Sequence, residues 1–264
     1  MEKILWQHVL AVRQKSPLVQ NITNYVVMNN TANALLAAGA SPIMAHAHAE
    51  VEELVGICQS LVINIGTLSE YWVDAMNLAA KRAHELRKPW ILDPVGAGAT
   101  AYRNNVLADL LQYKPAVIRG NASEIMALAN ASVAATKGVD STAESNEAIG
   151  AALSLHKICG SVVCISGATD IIVGPAKLCL HNGDPMMTKV TGLGCSATAL
   201  IGAFVGVTSD IMQAAAAAMS LLAISGELAA KNAPGPGSLQ VAILDKLYNI
   251  SEQEFMNTIR ISKS

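Results

Sequence analysis

The sequence contains few charged and few aromatic residues. Of its 264 residues, 14% are charged and 4% are aromatic, the net charge is −2, and no long run of lysine and arginine occurs. Proteins hold nucleic acids and anionic membranes through basic clusters, and single-stranded bases stack on aromatic side chains. The apolar region Ile211–Ile224 is shorter than the roughly 20 residues that a membrane-spanning helix needs. We therefore expect neither a nucleic-acid partner nor a membrane partner.

Cysteine usage and the first residues bear on the cellular compartment. The cysteines are odd in number and irregularly spaced, which does not suggest a disulfide framework (Cys58, Cys159, Cys164, Cys179 and Cys195). The first 20 residues read as an amphipathic helix and lack the basic start, apolar block and cleavage site of a signal peptide. A cytoplasmic protein is the expectation. A hydrophobic content of 52% permits a large buried core.

Short apolar runs alternate with helical patterns along most of the chain. The runs are continuous, as strands buried on both faces should be, and lie at 60–66, 89–96, 115–121, 161–167 and 170–174. Helical stretches lie among them at 70–86, 102–112 and 145–157. Two further strands are predicted at 177–181 and 185–190, flanking a hairpin turn signal at 182–184. Strand–helix–strand repetition predicts an α/β fold with a mostly parallel sheet between helical layers.

The last third of the chain is helical and rich in small residues. From Cys195 onward alanine and glycine occupy several helix faces, which allows close packing, and residues 232–238 read as a loop before a last helix. No linker or break in composition divides the chain. We predict a single domain over residues 1–264.

The glycine-containing segment 192–197, Gly-Leu-Gly-Cys-Ser-Ala, formally matches the dinucleotide-binding pattern G-x-G-x-x-G/A. Its context does not fit, because that pattern opens an early strand–helix unit and is followed by an acidic residue after the next strand. Here Asp210 falls at the start of a helix. A Walker A motif is also absent. Two glycines leading into a helix make either a row of free N–H groups suited to a phosphoryl group or a plain tight turn, and the segment alone leaves both interpretations open.

Two polar segments follow predicted strands. Asp93 closes the strand of "ILDPVGAGAT", so its carboxylate should lie at the sheet edge where α/β proteins bind ligands, and it could hold magnesium or cap the following turn. In "IRGNASEI", Arg119 ends a strand and its planar fork suits phosphate oxygens. Asn121 and Glu124 read most simply as a cap and a first-turn acid of the helix that begins near Ala122.

Together these segments resemble the hydroxyethylthiazole kinase family. Blocks such as "NITN", "GASPIMA", "DPVGAGAT", "IRGNASEI", "TKVTGLGCSATALIGAF" and "GPGS" stand in the order and spacing typical of that family, from about Val12 to Leu247. The resemblance implies a ribokinase-like three-layer αβα sandwich with a central, mostly parallel sheet and no lid. It also implies ATP- and Mg²⁺-dependent phosphorylation of 4-methyl-5-(2-hydroxyethyl)thiazole for thiamine salvage, by a homotrimer with its active site at a subunit interface.

The resemblance also assigns roles to individual residues. Those on the substrate side are Met44, whose backbone contacts the thiazole, with Asn24, Gly194 and Cys195. Those on the nucleotide are Arg119, Ser166, Gly192 and Asn121, and those near magnesium are Asp93 and Glu124. The chain departs from the family pattern at Leu193, where alanine is expected, and at Ser166 and Ala168, where threonine and glutamate are frequent.

Cys195 stands where many ribokinase-like enzymes carry an aspartate base. A thiol at a helix N-terminus has a lowered pKa, although nearby phosphates raise it again, so we interpret Cys195 as a weak base. Two other classes compete with the kinase: an ATP-dependent lyase that repairs hydrated nicotinamide cofactors, and a thiazole or nucleotide binder without catalysis. The lyase ordinarily has aspartate at this position and lacks the "NITN" block.

Overall fold

The computed structural model describes residues 1–132 and 144–263, in which helices cover both faces of one nine-stranded sheet. The strands are β1 (Leu18–Ile22), β2 (Ser41–Met44), β3 (Ser60–Asn64), β4 (Trp90–Asp93), β5 (Val117–Asn121), β6 (Val162–Ser166), β7 (Asp170–Val173), β8 (Lys177–Leu180) and β9 (Ile261–Lys263). The helices are α1 (Glu2–Lys15), α2 (Met28–Ala38), α3 (Val51–Ile57), α4 (Glu70–Glu85), α5 (Ala101–Leu111), α6 (Ala122–Ser132), α7 (Glu144–Cys159), α8 (Leu193–Val205), α9 (Ile211–Ala230), α10 (Pro236–Asn249) and α11 (Glu252–Thr258).

The sheet has the order β2-β1-β3-β4-β5-β6-β7-β8-β9. Strands β1 to β6 pair in parallel, whereas β7, β8 and β9 pair antiparallel. The predicted mostly parallel sheet between helical layers is therefore confirmed. Since parallel strands end at one edge, the carboxyl ends of six strands meet there.

Alternation along the central strands divides their side chains between two hydrophobic clusters. Val62, Ile91 and Val117 belong to the cluster covered by α1, α2 and α8 to α11. Their chain neighbours Leu61, Leu92 and Ile118 belong to the cluster covered by α3 to α7. Because successive strand residues face opposite sides, a residue's parity decides which helical layer it meets.

Helix α8 lies very close to the sheet because it carries glycine at the contact. A β-carbon on Gly202 would come within 2.6 Å of Val62 and 3.1 Å of Val19. The Ser60 hydroxyl also donates a hydrogen bond of 2.6 Å to the Gly202 carbonyl. A larger side chain at position 202 would force the helix away from the strands that it covers.

Three strands were not predicted, each for a local reason. β1 carries Gln20 and Asn21, whose polarity hides the apolar run, although both side chains are buried. β2 is short and contains Pro42, which is tolerated because β2 is an edge strand. β9 has only three residues and, within the described part of the chain, pairs with β8 alone.

The predicted strand at 185–190 is wrong. Residues Pro185–Lys189 form a 3₁₀-helix, which begins because Pro185 suits its first turn and Asp184 accepts the Met186 N–H at 2.8 Å. The expected hairpin turn is absent for a related reason, since the side chain of Asn182 bonds to Glu227 and to the Thr258 carbonyl instead.

The apolar region expected to end at Ile224 continues through the 20 residues of α9. Among the described residues α9 is the one helix long and apolar enough to cross a membrane. However, 72% of its most apolar stretch is buried inside the protein, where it packs against α1, α8 and α10. The argument from length was therefore wrong, and burial in the core accounts for the composition of the helix.

Candidate active site

Three polar side chains at the carboxyl edge of the sheet face α8. Asn64 and Asp93 end their strands side by side in the β3–β4 register, and Arg119 lies near the end of β5. Each stands two positions after a residue that packs beneath α8 (Val62, Ile91 and Val117). Strand alternation therefore directs all three side chains to the start of α8.

A chain of hydrogen bonds links Cys195 to Asp93. Asn24 donates from Nδ2 to Cys195 Sγ at 3.6 Å and to Asn64 Oδ1 at 2.8 Å. Asn64 in turn donates from Nδ2 to Asp93 Oδ2 at 2.7 Å, and Thr198 of α8 donates to the same oxygen at 2.8 Å. The network fixes the orientation of both amides, so the thiol and the carboxylate belong to one unit.

Burial governs the ionisation of Asp93. The residue is 1% exposed, and desolvation raises the pKa of its carboxyl to about 6 against the ordinary 3.8. The nearby Arg119 charge and the hydrogen bonds from Thr198 and Asn64 oppose this rise, while Glu124 adds to it. The charged form thus depends on its polar partners.

Cys195 does not have the lowered pKa expected from its place at a helix N-terminus. Burial and the neighbouring Asp93 charge raise the pKa of its thiol to about 11, against the hydrogen bonds from Asn64 and Asn24 and the charge of Arg119. The expectation was wrong because it left out desolvation and Asp93. The thiol is protonated at neutral pH.

The glycine segment forms the N-terminus of α8. Gly192 is its N-cap with φ 81°, a backbone region that favours glycine, and a β-carbon there would come within 2.8 Å of Val27. Ser196 donates the first backbone bond of the helix to the Gly192 carbonyl. The N–H groups of Leu193, Gly194 and Cys195 precede that bond and are therefore available to an anion.

The guanidinium of Arg119 packs against the backbone of Gly194. A β-carbon on Gly194 would lie 2.6 Å from Arg119 Nη1, so only glycine admits the cation at this position. Arg119 Nε is buried and has no hydrogen-bond partner within the described residues. A buried cationic donor without a protein acceptor is costly, which indicates that this guanidinium serves an anionic ligand.

Arg119 and Gly194 stand at one side of a cavity of about 500 Å³. Ser166 and Gly167 also line that side, together with Asp170. The remaining wall is formed by the segment between β8 and the 3₁₀-helix, by Met187 of the 3₁₀-helix, and by apolar side chains of α8 and α9 (Leu193, Met219 and Leu222). The cavity therefore combines a charged side, where Arg119 and Asp170 lie, with an apolar wall.

Asn121 and Glu124 form the predicted cap. The side chain of Asn121 accepts the Glu124 N–H at 2.9 Å, and Glu124 Oε2 accepts the Asn121 N–H at 2.9 Å. Glu124 Oε1 also accepts the Gly96 N–H at 3.0 Å. Glu124 thus ties the "DPVGAGAT" loop to the start of α6. The capping role predicted for Asn121 and Glu124 is confirmed, and it does not exclude contact with a ligand.

The other predicted residues lie at the same edge. Met44 ends β2 beside Asn21 of β1, and Ser166 ends β6 and donates to the Gly120 carbonyl at 3.3 Å. Sequence reasoning missed Asn64 and Thr198. Asn64 could have been found as the polar residue that closes the buried run "SLVIN", whereas Thr198 lies inside a helix and carries no such signal.

Arg103 was also missed. Its guanidinium donates to the carbonyls of Ile65, Val95 and Gly66 at 2.5, 2.8 and 2.9 Å, respectively. The loops that follow β3 and β4 are thereby joined behind Asn64 and Asp93. No pattern in the sequence marks a surface helix residue for such a role.

Comparison with known proteins gives a consistent result. The model of the hydroxyethylthiazole kinase family matches residues 9–253. A hydroxyethylthiazole kinase from Syntrophus aciditrophicus is 56% identical over 97% of this chain and 96% of its own. The structure of the hydroxyethylthiazole kinase from Pyrococcus horikoshii OT3 superposes with a TM-score of 0.92 at 39% identity, covering 99% of both chains. A ribokinase-like superfamily protein from Enterococcus faecalis V583 shares the fold, with a TM-score of 0.68, 12% identity and 94% coverage of both chains.

The raised pKa of Asp93 predicts how stability depends on pH. Folding favours the protonated carboxyl, so this stabilising contribution is complete below about pH 4 and is lost as pH rises through about 6. The loss amounts to about 3 kcal/mol, from a rise of about two pKa units. Asp93→Asn does not ionise, and one amide oxygen can accept from both Asn64 and Thr198. Relative to wild type, its free energy of unfolding in EDTA should increase between pH 4 and 7.

The matched control is Asp109→Asn, the same change at an exposed position of α5. Urea unfolding at several pH values measures all three proteins. A constant difference between Asp93→Asn and wild type from pH 4 to 7 would show that Asp93 ionises normally.

Proposed function

The chain belongs to the hydroxyethylthiazole kinase family, and from that premise we propose that it transfers the γ-phosphoryl group of ATP to the hydroxyl of 4-methyl-5-(2-hydroxyethyl)thiazole, in thiamine salvage in the cytoplasm. One observation supports this most directly. The guanidinium of Arg119, whose Nε has no partner among the residues that the structure describes, and the free N–H groups of α8 lie together beside Cys195, at one side of a nucleotide-sized cavity.

Phosphoryl transfer asks a protein mainly for positioning and charge stabilisation. The N–H groups of Gly194 and Cys195 would face the transferring phosphoryl group, and the positive end of the α8 dipole favours its negative charge. Arg119 lines the cavity and would pair with phosphate oxygens through its guanidinium. These groups are preorganised, since Gly194 and Arg119 hold one another in place.

The cavity orients the nucleotide. Its phosphates belong at the side lined by Arg119, Ser166 and Gly194. The nucleoside then lies along the wall that contains Met187 and Met219, where apolar side chains suit a flat base. The assignments of Gly192 and Asn121 to the nucleotide remain predictions.

Magnesium fits the carboxylates of this site. Within residues 1–132 and 144–263 no group of three or more His, Cys, Asp or Glu side chains is placed to hold a metal ion. Mg²⁺ commonly keeps several waters and is held by one or two carboxylates together with substrate phosphates, which Asp93 and Glu124 can provide. The two carboxylates lie close enough to interact, since the negative charge of Glu124 raises the pKa of Asp93. When bound, the ion would neutralise phosphate charge.

The thiazole belongs on the opposite side of Cys195 from Arg119. Asn24 contacts the thiol, and Met44 lies on the neighbouring edge strand with a backbone that can bind a ring atom. The substrate hydroxyl would then meet Cys195 Sγ. Because the thiol is neutral, Cys195 serves first to hold the hydroxyl and accepts its proton only when ionised.

The homotrimer is proposed from the surface beside Asn24. Tyr25 and Val26 follow Asn24 directly and are 64% and 62% exposed, respectively. Tyr71 is half exposed and lies in the same region, because its neighbour Trp72 packs against Tyr25, and its carbonyl bonds to His48 in the loop after β2. A second subunit covering these side chains would close the thiazole site.

The activity is tested by a coupled ADP-release assay with hydroxyethylthiazole, ATP and Mg²⁺. ADP should appear in step with thiazole phosphate and not without thiazole. Asp93→Asn should lose at least about 10²-fold in kcat because a carboxylate beside the phosphates is removed, whereas Asp109→Asn should match wild type. Absence of thiazole-dependent ADP would favour the cofactor-repair lyase or a non-catalytic binder.

The role of Cys195 is tested by the pH dependence of kcat. If the thiolate accepts the hydroxyl proton, kcat should rise by up to about tenfold per pH unit between pH 7 and 9, since the pKa of the thiol is about 11. Cys195→Ala should lower kcat by about 10²-fold and abolish the rise. Cys195→Asp should stay active without it.

Cys179→Ala is the matched control, because Cys179 lies on β8 away from α8. A flat wild-type profile, or wild-type turnover by Cys195→Ala, would remove the base role.

The oligomer is tested by light scattering after gel filtration. Wild type should have three times the 27.5 kDa mass of the chain. Val26→Asp should lower the mass and raise KM for thiazole. Val241→Asp, an equally exposed valine on α10, should do neither. A monomeric and fully active wild type would disprove the interface site.

A further inference from the structure

The segment that forms the wall of the nucleotide cavity is held from behind by one carboxylate. Residues His181, Asn182, Gly183 and Asp184 line the cavity between β8 and the 3₁₀-helix. Glu227 of α9 stands behind them and does not line the cavity itself. Its Oε2 accepts the Asn182 Nδ2 at 2.9 Å and the Gly183 N–H at 3.2 Å.

Arg260 completes this arrangement. Its guanidinium meets Glu227 in a bidentate pair, with Nη1 to Oε1 at 2.9 Å and Nη2 to Oε2 at 2.8 Å. The same Nη2 donates to the His181 carbonyl at 2.9 Å, and the Arg260 N–H donates to Asn182 Oδ1 at 2.7 Å. Glu227 and Arg260 thus form hydrogen bonds with both side-chain and backbone groups of the segment.

The packing next to this pair has the same effect. A β-carbon on Gly226 would overlap the sulfur of Met187, so glycine at this point of α9 lets the 3₁₀-helix lie directly on the helix. Met187 lines the cavity. Gly226 and Glu227 are adjacent in α9. The 3₁₀-helix packs on the first and segment 181–184 is bonded to the second, so both parts of the cavity wall are held against α9.

The ion pair of Glu227 and Arg260 is partly buried. The Glu227 side chain is 18% exposed, while that of Arg260 is 51% exposed. Burial alone would raise the pKa of Glu227, but the hydrogen bonds from Arg260, Asn182 and Gly183 hold it below its ordinary value. A planar, bidentate pair with further donors is more than an isolated surface ion pair.

We propose that Glu227 and Arg260 are positioning residues for the nucleotide: they fix segment 181–184 in the shape that receives ATP without touching ATP themselves. The proposal rests on the nucleotide assignment of the cavity. It predicts an effect on ATP binding that is separate from the chemical step and from thiazole binding, because neither Cys195 nor Asn24 lines the cavity that the segment helps to form.

The test compares Glu227→Gln, Arg260→Gln and the double variant in the intact protein. Glutamine cannot accept from all four donors of the carboxylate and turns an N–H toward the guanidinium. Each single change should raise KM for ATP by about tenfold, the effect of a charge-assisted bond. kcat at saturating ATP and KM for thiazole should stay within about twofold of wild type, since the reacting groups are not moved. The double variant should be no worse than either single one, because both changes break one unit.

Glu254→Gln provides the matched control. Glu254 also pairs with a cation at 2.8 Å, Lys246, and also joins late elements of the chain, but away from the cavity. Its KM for ATP should equal that of wild type. An unchanged KM in Glu227→Gln and Arg260→Gln, or an equal rise in Glu254→Gln, would overturn the proposal.

Nucleotide binding measured directly separates this proposal from the enzymatic assignment. Calorimetric titration with ATP and Mg²⁺ should show Kd raised about tenfold in both variants, whether or not thiazole is phosphorylated. If the wild type binds ATP but forms no thiazole phosphate, the proposed function is disproved, and the Kd for ATP of the two variants still decides whether Glu227 and Arg260 position the nucleotide. If Glu227→Gln does not fold, the half-exposed Arg260→Gln decides the question, and a wild-type Kd in that variant would refute the positioning role.

Discussion

The close approach of α8 to the central strands is the contact on which the rest of the site depends. Gly202 allows α8 to lie on Val62 and Val19, and Gly194 allows its first turn to lie on Arg119. One helix therefore has its last turns fixed by the core and its free N–H groups fixed beside a cation. Small residues in the helix are the cause, and the placement of the anion site is the consequence.

The same contact brings a buried carboxylate into the site. Asp93 lies under α8 and loses most of its hydration, which disfavours its charge. Asn64 and Thr198 supply two donors to one oxygen, and Asn64 is itself fixed by Asn24 and by the Gly66 N–H. The amides are thus part of the electrostatics, since without them Asp93 would be protonated over a wider range of pH.

The sequence predicts the parts of this protein that repeat along the chain and misses those that depend on partners in space. Continuous apolar runs located β3 to β7, a strand predicted beside a turn signal coincides with β8, and the glycine and strand-end motifs located Asp93, Arg119 and Gly194 at one sheet edge. β1 escaped because its polar side chains are buried by contacts that local sequence does not show, such as the hydrogen bond from Gln20 Nε2 to the distant Val51 carbonyl. The segment 185–190 has an apolar pattern that a proline and an aspartate cap override.

The lowered pKa expected for the Cys195 thiol was wrong for the same reason. The raised pKa explains why a thiol suits this position. A helix N-terminus alone favours a thiolate, but the Asp93 charge and burial outweigh it. A neutral thiol gives the site a polarisable group without adding a second negative charge beside Asp93 and the incoming phosphates. An aspartate here would have to share the donors of Asn24 and the field of Arg119 with Asp93, so each carboxylate would raise the pKa of the other. More of the positive charge of Arg119 is therefore available to the phosphates with cysteine than with aspartate, because fewer protein carboxylates balance it.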